Sequence, residues 1–345
     1  MRHLGMLLSI VVPAYNENET LPALIAALRR TLANNYNYEV IVVDDGSTDG
    51  TSETLARLTH EDHRLKVIYL SRNFGHQAAI TAGLDFASGD AVAVMDADLQ
   101  DPPELLPEML KLLNDGYDVV SAKRLTREGD GVFKRYTAKF FYWVIRKMVD
   151  NRIQNEVGDF RLFNRRAVIA LRSFREQHRF MRGMVAWMGL REVIVPYHRN
   201  ARVAGKTKYS LLRMLQFAWT AIISFSALPL RLTVFFGFFV AACGVAVGLF
   251  SIYAQHFMKA TVPGWTSLVC LNIVFSGVTL VAIGLVGEYV AHIYEEAKGR
   301  PLYVVSDSAN LNAVRPHIVK AVILPPPDNE TSYEAATKKA KATGL

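Results

Sequence analysis

The sequence predicts an α/β protein whose mainly parallel, twisted sheet carries helices on both faces, followed by interfacial amphipathic helices and a two-helix transmembrane hairpin. Two patterns support this. Leu7 to Val12, Val40 to Val43, Lys66 to Leu70 and Ala91 to Met95 are short β-branched runs, each followed by a helical pattern, and such alternation builds βαβ units. Leu232 to Tyr253 and Trp265 to Gly287 run for 22 and 23 residues without a formal charge. At about 1.5 Å per residue each covers roughly 30 Å of hydrocarbon.

The composition is that of a folded chain. Of 345 residues, 51% are apolar and 21% charged, and the mean hydropathy is +0.14, which excludes a disordered or collagen-like chain. Cys243 and Cys270 are too few for a disulfide framework and have no metal-ligand spacing; both read as small buried hydrophobes. Charge is asymmetric: residues 1–122 hold 8 basic and 18 acidic side chains, residues 123–213 hold 22 and 7, and the remainder 9 and 7, for nets of −10, +15 and +2. An acidic first part suits a held cation, and a basic second part suits anionic lipid or phosphate.

The elements follow in order. Leu4 to Ala14 is expected to be a first strand rather than a signal peptide, because Tyr15 to Glu19 follows it in place of a small-x-small cleavage site. Thr20 ahead of Leu21 and Pro22, and Asp101-Pro102-Pro103-Glu104, read as helix starts with a cap and an early proline. Parallel strands send their carboxyl ends to one edge, where open α/β sheets bind ligands. That edge should receive Tyr15 to Glu17, Asp44 to Ser47, Arg72 to Gln77 and Asp96 to Gln100. Lys134 to Met148, where cations interleave with aromatic residues, suits an interfacial helix, and Ser210 to Leu230 a second. Ser306 to Leu345 has no periodic core pattern and is expected to be disordered or loosely docked.

The domains expected are a soluble unit at 1–209, juxtamembrane helices at 210–231, the hairpin at 232–287 and a C-terminal segment at 288–345. Lys206, Lys208, Arg213 and Arg231 precede the hairpin and Lys298 and Arg300 follow it, against Lys259 alone in its loop, so both termini are expected to be cytoplasmic. Trp265 and Tyr253 sit at the loop side, where amphipathic rings favour the interface.

Asp96 and Asp98 flank Ala97 after an apolar strand. In extended backbone they point the same way and can converge on one hard cation, with Gln100 continuing the row; oxygen ligands of this kind select Mg²⁺ or Mn²⁺. Competing phosphate motifs fail: Gly205-Lys206-Thr207 has Asn200 where a Walker loop needs glycine, and no Gly-x-Gly-x-x-Gly follows the first strand.

Val12-Pro13-Ala14-Tyr15-Asn16-Glu17, Asp44-Asp45-Gly46-Ser47-Thr48-Asp49-Gly50, Ser71-Arg72-Asn73-Phe74-Gly75-His76-Gln77, Asp96-Ala97-Asp98-Leu99-Gln100-Asp101 and Gly158-Asp159-Phe160-Arg161-Leu162 resemble, in order and spacing, the inverting family 2 glycosyltransferases of GT-A fold. With Arg202-x-x-Gly205-x-Thr207-Lys208 and a hairpin ending Gly287-Glu288-Tyr289, the chain is similar to the polyprenyl-phosphate glycosyltransferases, especially bactoprenol glucosyltransferases of the GtrB type. The resemblance spans Leu7 to Tyr303.

It implies transfer of one sugar from a nucleotide diphosphate donor, UDP-glucose by resemblance, to undecaprenyl phosphate at the cytoplasmic face of a bacterial inner membrane. GDP-mannose, UDP-N-acetylglucosamine or an aminosugar nucleotide are alternative donors, and a non-catalytic membrane binding subunit is the alternative outside enzymes. By resemblance, Pro13, Tyr15, Glu17, Asp44, Asp45, Asn73, Gln77, Asp96 and Ala97 hold the nucleotide sugar; Asp96, Asp98 and Gln100 hold the metal; Arg124, Arg202 and Lys208 bind phosphate; and Asp159 and Asp98 are catalytic. A lipid phosphomonoester, with a second pKa of about 6, hardly needs a base at neutral pH, so Asp159 stands as base or as positioning group. Polymerisation is disfavoured because Gln177-His178-Arg179-Phe180 does not match the Gln-x-x-Arg-Trp of processive synthases. The basic segment is assigned to lipid rather than nucleic acid, and homo-oligomerisation is left open.

Overall fold

The computed structural model describes residues 3–125, 157–198, 228–257, 264–311 and 321–323. Arg202, Lys208, the Lys134 to Met148 helix and all but the last three residues of Ser210 to Leu230 lie outside them.

Strand β1 (His3–Ala14) is central, and Ile10, Val11 and Val12 are fully buried on both faces, as a parallel strand between two helical layers requires. Helix α1 (Leu21–Leu32) buries Leu21, Leu24, Leu28 and Leu32, one stripe at helical spacing. β2 (Tyr36–Asp44), α2 (Thr51–Glu61), β3 (Leu65–Leu70), α3 (His76–Phe86) and β4 (Ala91–Val94) complete the alternation. A 3-10 turn (Pro103–Leu105), α4 (Leu106–Asn114), β5 (Val119–Arg124), β6 (Val157–Asn164), α5 (Arg165–Ser173), α6 (Met181–Met188) and β7 (Glu192–Tyr197) extend the sheet on one side. The strand order is β7-β5-β6-β4-β1-β2-β3-β8-β9, with β8 (Tyr303–Ala309) and β9 (Ala321–Ile323) at the far edge. Parallel pairings outnumber antiparallel ones five to three, so the mainly parallel, twisted arrangement is the one present. The core lies in two layers, one on each face of the sheet.

Three expectations about the sheet and its loops change. β4 ends at Val94, so Asp96 to Gln100 form a turn rather than an extended row, with Leu99 at φ +59° and the Asp98 carboxylate accepting the Gln100 N–H at 3.1 Å. The cap position falls on Pro102 rather than Asp101, which is fully buried and whose Oδ1 accepts the Tyr197 hydroxyl and lies 3.7 Å from Arg124. Ser306 to Ala309, expected to be disordered or loose, belongs to β8, which pairs antiparallel with β3 and buries Tyr303 completely. Strand pairing here supplies what side-chain periodicity does not announce, because only Tyr303 and Val305 of this strand are buried.

Helices α7 (Leu228–Phe257) and α8 (Trp265–Ala297) contain windows of mean hydropathy 2.3 and 1.8 that lie wholly outside the core. Phe235, Phe238, Leu280 and Val281 are about 70% exposed, an apolar surface long enough for a bilayer and unsuited to water. Cys243, expected to be buried, is exposed on this surface. The two helices approach closely where Gly244 faces Phe275, small against large. α8 continues ten residues past Gly287, the end of its uncharged run, and delivers the chain to β8.

Candidate active site

β1, β2, β3 and β4 are parallel, so the loops after Ala14, Asp44, Leu70 and Val94 leave one edge of the sheet. β6 is antiparallel to β4 and begins there with Gly158 and Asp159, while Arg124 of β5 and Tyr197 of β7, paired with each other, end there. Topology alone thus collects residues separated by 180 positions.

The first two loops are tied to each other. Asn16 donates its N–H to Ser47 Oγ at 2.9 Å and accepts the Thr48 N–H at 2.8 Å, and Glu17 donates its N–H to Thr51 Oγ1 at 3.0 Å. The Glu17 carboxylate accepts the Thr20 hydroxyl at 2.7 Å, so that hydroxyl turns back instead of capping α1. Asp44, buried, accepts the Ser47 N–H at 3.0 Å and the Ser52 hydroxyl. Asp45 accepts the N–H groups of Phe74 and Gly75 at 2.7 and 2.9 Å; burial pushes its carboxyl up, and those two hydrogen bonds oppose the rise. Gly46, at φ +70°, lets the second and third loops touch: a Cβ there would stand 2.6 Å from the Arg72 carbonyl carbon. Asp44 therefore fixes its own loop to the start of α2 and Asp45 ties the second loop to the third, while Tyr15 and Asn73 stand exposed beside them and Pro13 sits within β1.

Around Asp159 the polar groups are dense. His76 Nε2 lies 3.4 Å from the Asp159 carboxylate and 3.6 Å from that of Asp96, Gln77 Nε2 donates to Asp159 at 3.4 Å, and Arg182 Nε stands 3.7 Å away. Burial alone would raise the Asp159 carboxyl, but Arg182, His76 and Arg161 outweigh it and hold it well below the usual carboxylate range. Burial would likewise lower His76, and Asp159 and Asp96 overcome this to keep it above its ordinary value. Farther along, Arg124 Nε donates to Tyr197 Oη at 3.1 Å, and Tyr197 donates to Asp101 at 2.5 Å.

Asp96, Asp98 and the Gln100 amide form an all-oxygen donor set of the kind that takes Mg²⁺ or Mn²⁺. Gln100 Oε1 is buried without a hydrogen-bond partner, and the Asp96 carboxyl is pushed up to about 6 by burial, with Asp101, Asp159 and Asp98 adding to the rise and His76 opposing it. A cation would relieve both features, so the residues fit one. Among the described residues no group of three His, Cys, Asp or Glu side chains could hold a metal by itself, so further ligands would come from the amide, water and a donor diphosphate.

Residues 9–172 match the family model described as Glycosyl transferase family 2. The uncharacterized glycosyltransferase YkcC of Bacillus subtilis (strain 168) is 42% identical over 308 residues, covering 89% of this chain and 95% of that one. This chain is a family 2 glycosyltransferase. The enzyme is also 38% identical over 304 residues to the SfII prophage-derived bactoprenol glucosyl transferase of Shigella flexneri, covering 88% and 98% of the two chains. Among solved structures, glucosyl-3-phosphoglycerate synthase from Mycobacterium tuberculosis, in complex with Mn²⁺, UDP-glucose and phosphoglyceric acid, is 19% identical at a TM-score of 0.45, over 64% of this chain and 79% of that one. That likeness is too loose to bear on the ligands of this enzyme.

The sequence-nominated positions from Pro13 to Arg124 and Asp159 fall at this one edge. His76 and Arg182 were not nominated. His76 lies within a quoted motif, at the first position of α3, whereas nothing in the sequence marks Arg182, which reaches Asp159 because α6 packs against α5 in the core layer that β6 also joins.

Proposed function

We propose that this glycosyltransferase moves a single sugar from a nucleotide diphosphate donor, UDP-glucose in the first instance, to polyisoprenyl phosphate at the cytoplasmic membrane face, with inversion and with divalent metal. The observation that carries the reading is the meeting of the Asp96–Asp98 turn with Asp159 at the edge where the loops converge, in a chain that also carries two bilayer-length helices. Relatives named bactoprenol glucosyl transferase over nearly the whole chain support the acceptor class.

The loops after β1 and β2, stiffened by the Asn16 and Asp45 hydrogen bonds, would seat the nucleotide. Asp96 and Asp98, with Gln100, would hold Mg²⁺ or Mn²⁺, whose chemistry is to neutralise charge on the departing diphosphate, an effect of several kcal/mol. An oxygen of the lipid phosphate attacks the anomeric carbon from the face opposite the diphosphate; the sugar–oxygen bond to the diphosphate breaks and the diphosphate keeps the electron pair. Asp159, held anionic by Arg182 and His76, is a weak base, and the acceptor is already largely a dianion. Its part is therefore to orient His76 and Arg182 and to repel the acceptor phosphate into line. Arg124, braced by Tyr197, meets the acceptor phosphate with Arg202 and Lys208, and both termini lie in the cytoplasm.

The test incubates purified protein and undecaprenyl phosphate with a panel of labelled nucleotide sugars and follows label into the organic phase. Transfer from one donor that stops on chelation is expected; transfer unaffected by chelation overturns the metal role, and no transfer from any donor overturns the acceptor.

A further inference from the structure

Between α5 and α6, residues 174–180 run along the flank of α3 from one end to the other. At the far end Arg175 makes two 2.8 Å hydrogen bonds to the Asp85 carboxylate, which also accepts the Tyr303 hydroxyl at 2.8 Å. At the crevice end Met181 donates its N–H to Gln77 Oε1 at 3.2 Å, and Gln77 donates in turn to Asp159. The middle of the segment rests on the exit end of the second membrane helix. The Gln177 N–H reaches Glu296 Oε1 at 2.5 Å, Gln177 Nε2 reaches the Arg300 carbonyl at 2.6 Å, and His178 Nε2 meets Glu295 Oε2 at 2.6 Å. The rings of His178 and His292 lie 4.2 Å apart. α6 then starts at Met181, and its second residue is the Arg182 that flanks Asp159.

Every link joins rigid parts. α8 is continuous from the apolar hairpin to Ala297, β8 fixes the chain beyond it into the sheet, and α6 buries Met181, Met184 and Val185. The hydrogen bonds of Gln177, His178 and Met181 thus form a continuous route from the α8 end to α6.

We infer that residues 174–180 form a strut through which the exit end of α8 sets the position of α6, and with it Arg182 and Gln77 about Asp159, making His178, Gln177 and Glu295 positioning residues for sugar transfer. The proposal rests on the function read above, since it gives Asp159 an acceptor to align. The hairpin is then part of the active-site framework as well as an anchor, so that the crevice is in register only when α8 is correctly seated.

The test uses the full-length protein in lipid nanodiscs, with His178→Ala, Glu295→Ala, the double variant and His178→Gln, which keeps a donor for Glu295. With UDP-glucose and undecaprenyl phosphate, each single alanine variant is expected to lose on the order of 10- to 100-fold in kcat, the scale of a small misplacement of reacting groups. Donor KM and UDP affinity should hold within about twofold, the double variant should be no worse than either single one, as for two residues acting through one contact, and His178→Gln should recover most of the rate. Unchanged kcat overturns the proposal. So does a parallel fall of kcat, UDP affinity and melting temperature, which is the mark of general support. Hydrogen exchange, which needs no substrate, separates this failure from that of the assigned function. Unchanged exchange at Met181–Met188 in Glu295→Ala sinks the strut whether or not the wild type transfers sugar, whereas faster exchange there with no wild-type transfer sinks the assigned acceptor alone.

Discussion

At Asp159 the surrounding charges decide what a carboxylate can do. A group held anionic by Arg182 and His76 against its own burial is a poor proton acceptor and a good electrostatic fixture, so its identity as an aspartate says less than its neighbours do. Asp98 is different, because its nomination rests on donor chemistry. Asp98→Asn removes a charge from the oxygen set and is expected to lower sugar transfer by on the order of 10²–10³, the loss typical of a missing transition-state charge partner. Initial rates of label transfer check it, with the melting temperature confirming an intact fold. The residues missed at this scale, Arg182 and the Tyr197 that braces Arg124, have side chains common in any helix or strand; their partners are 23 and 73 positions away, so no local pattern reveals them.

Among elements, α3 carries the most structural demand, since it supplies His76 and Gln77 to the crevice and Asp85 to the strut. It packs so closely on β1 that a Cβ on Gly83 would stand 2.2 Å from Val11 Cγ1, and Val11 is locked in the centre of the sheet. Gly83→Ala is therefore expected to cost about 1–3 kcal/mol through overpacking, seen as a lower urea midpoint, with UDP affinity little changed in the protein that remains folded. β2 carries a buried polar knot: Glu39 meets Lys66 at 2.5 Å, Ser9 at 2.5 Å and the Ser88 N–H at 2.9 Å. Burial would raise Glu39, but Lys66 and the two serines outweigh it and hold the carboxyl below 4.5. A depressed carboxylate contributes stability above its unfolded pKa and loses it as pH falls through the folded one. Glu39→Gln should thus destabilise by about 3 kcal/mol at neutral pH, leaving Lys66 uncompensated, and the difference from wild type should shrink progressively below about pH 4.5. Unfolding curves from pH 7 to pH 3 measure it.

At the scale of the whole molecule, the sheet is closed by chain that follows the two apolar helices. β3 would be an open sheet edge without β8, and Leu302, Tyr303 and Val305 fill the core beneath it. Each such side chain is worth about 1.5–3 kcal/mol when fully buried. A chain ending at Ala297 is expected to unfold well below the full-length protein or to aggregate, whereas one ending at Ile323 retains the edge and should melt close to it. Melting in matched detergent distinguishes the two. The expected boundary at 209 lies outside the described residues, and the sheet includes β8 and β9, which follow the two apolar helices.

The sequence by itself determined the alternation that makes a mainly parallel sheet, the two apolar helices and the loop residues gathered at the carboxyl edge, because each is written in local periodicity or in uncharged length. Strand ends, the turn that replaces an extended Asp96–Gln100 row, the burial of Asp101 and the return of β8 were settled by tertiary structure. The burial of Asp101 and the return of β8 depend on partners tens or hundreds of residues away, whose approach is set by sheet register and helix packing, and local sequence carries no record of distance in space.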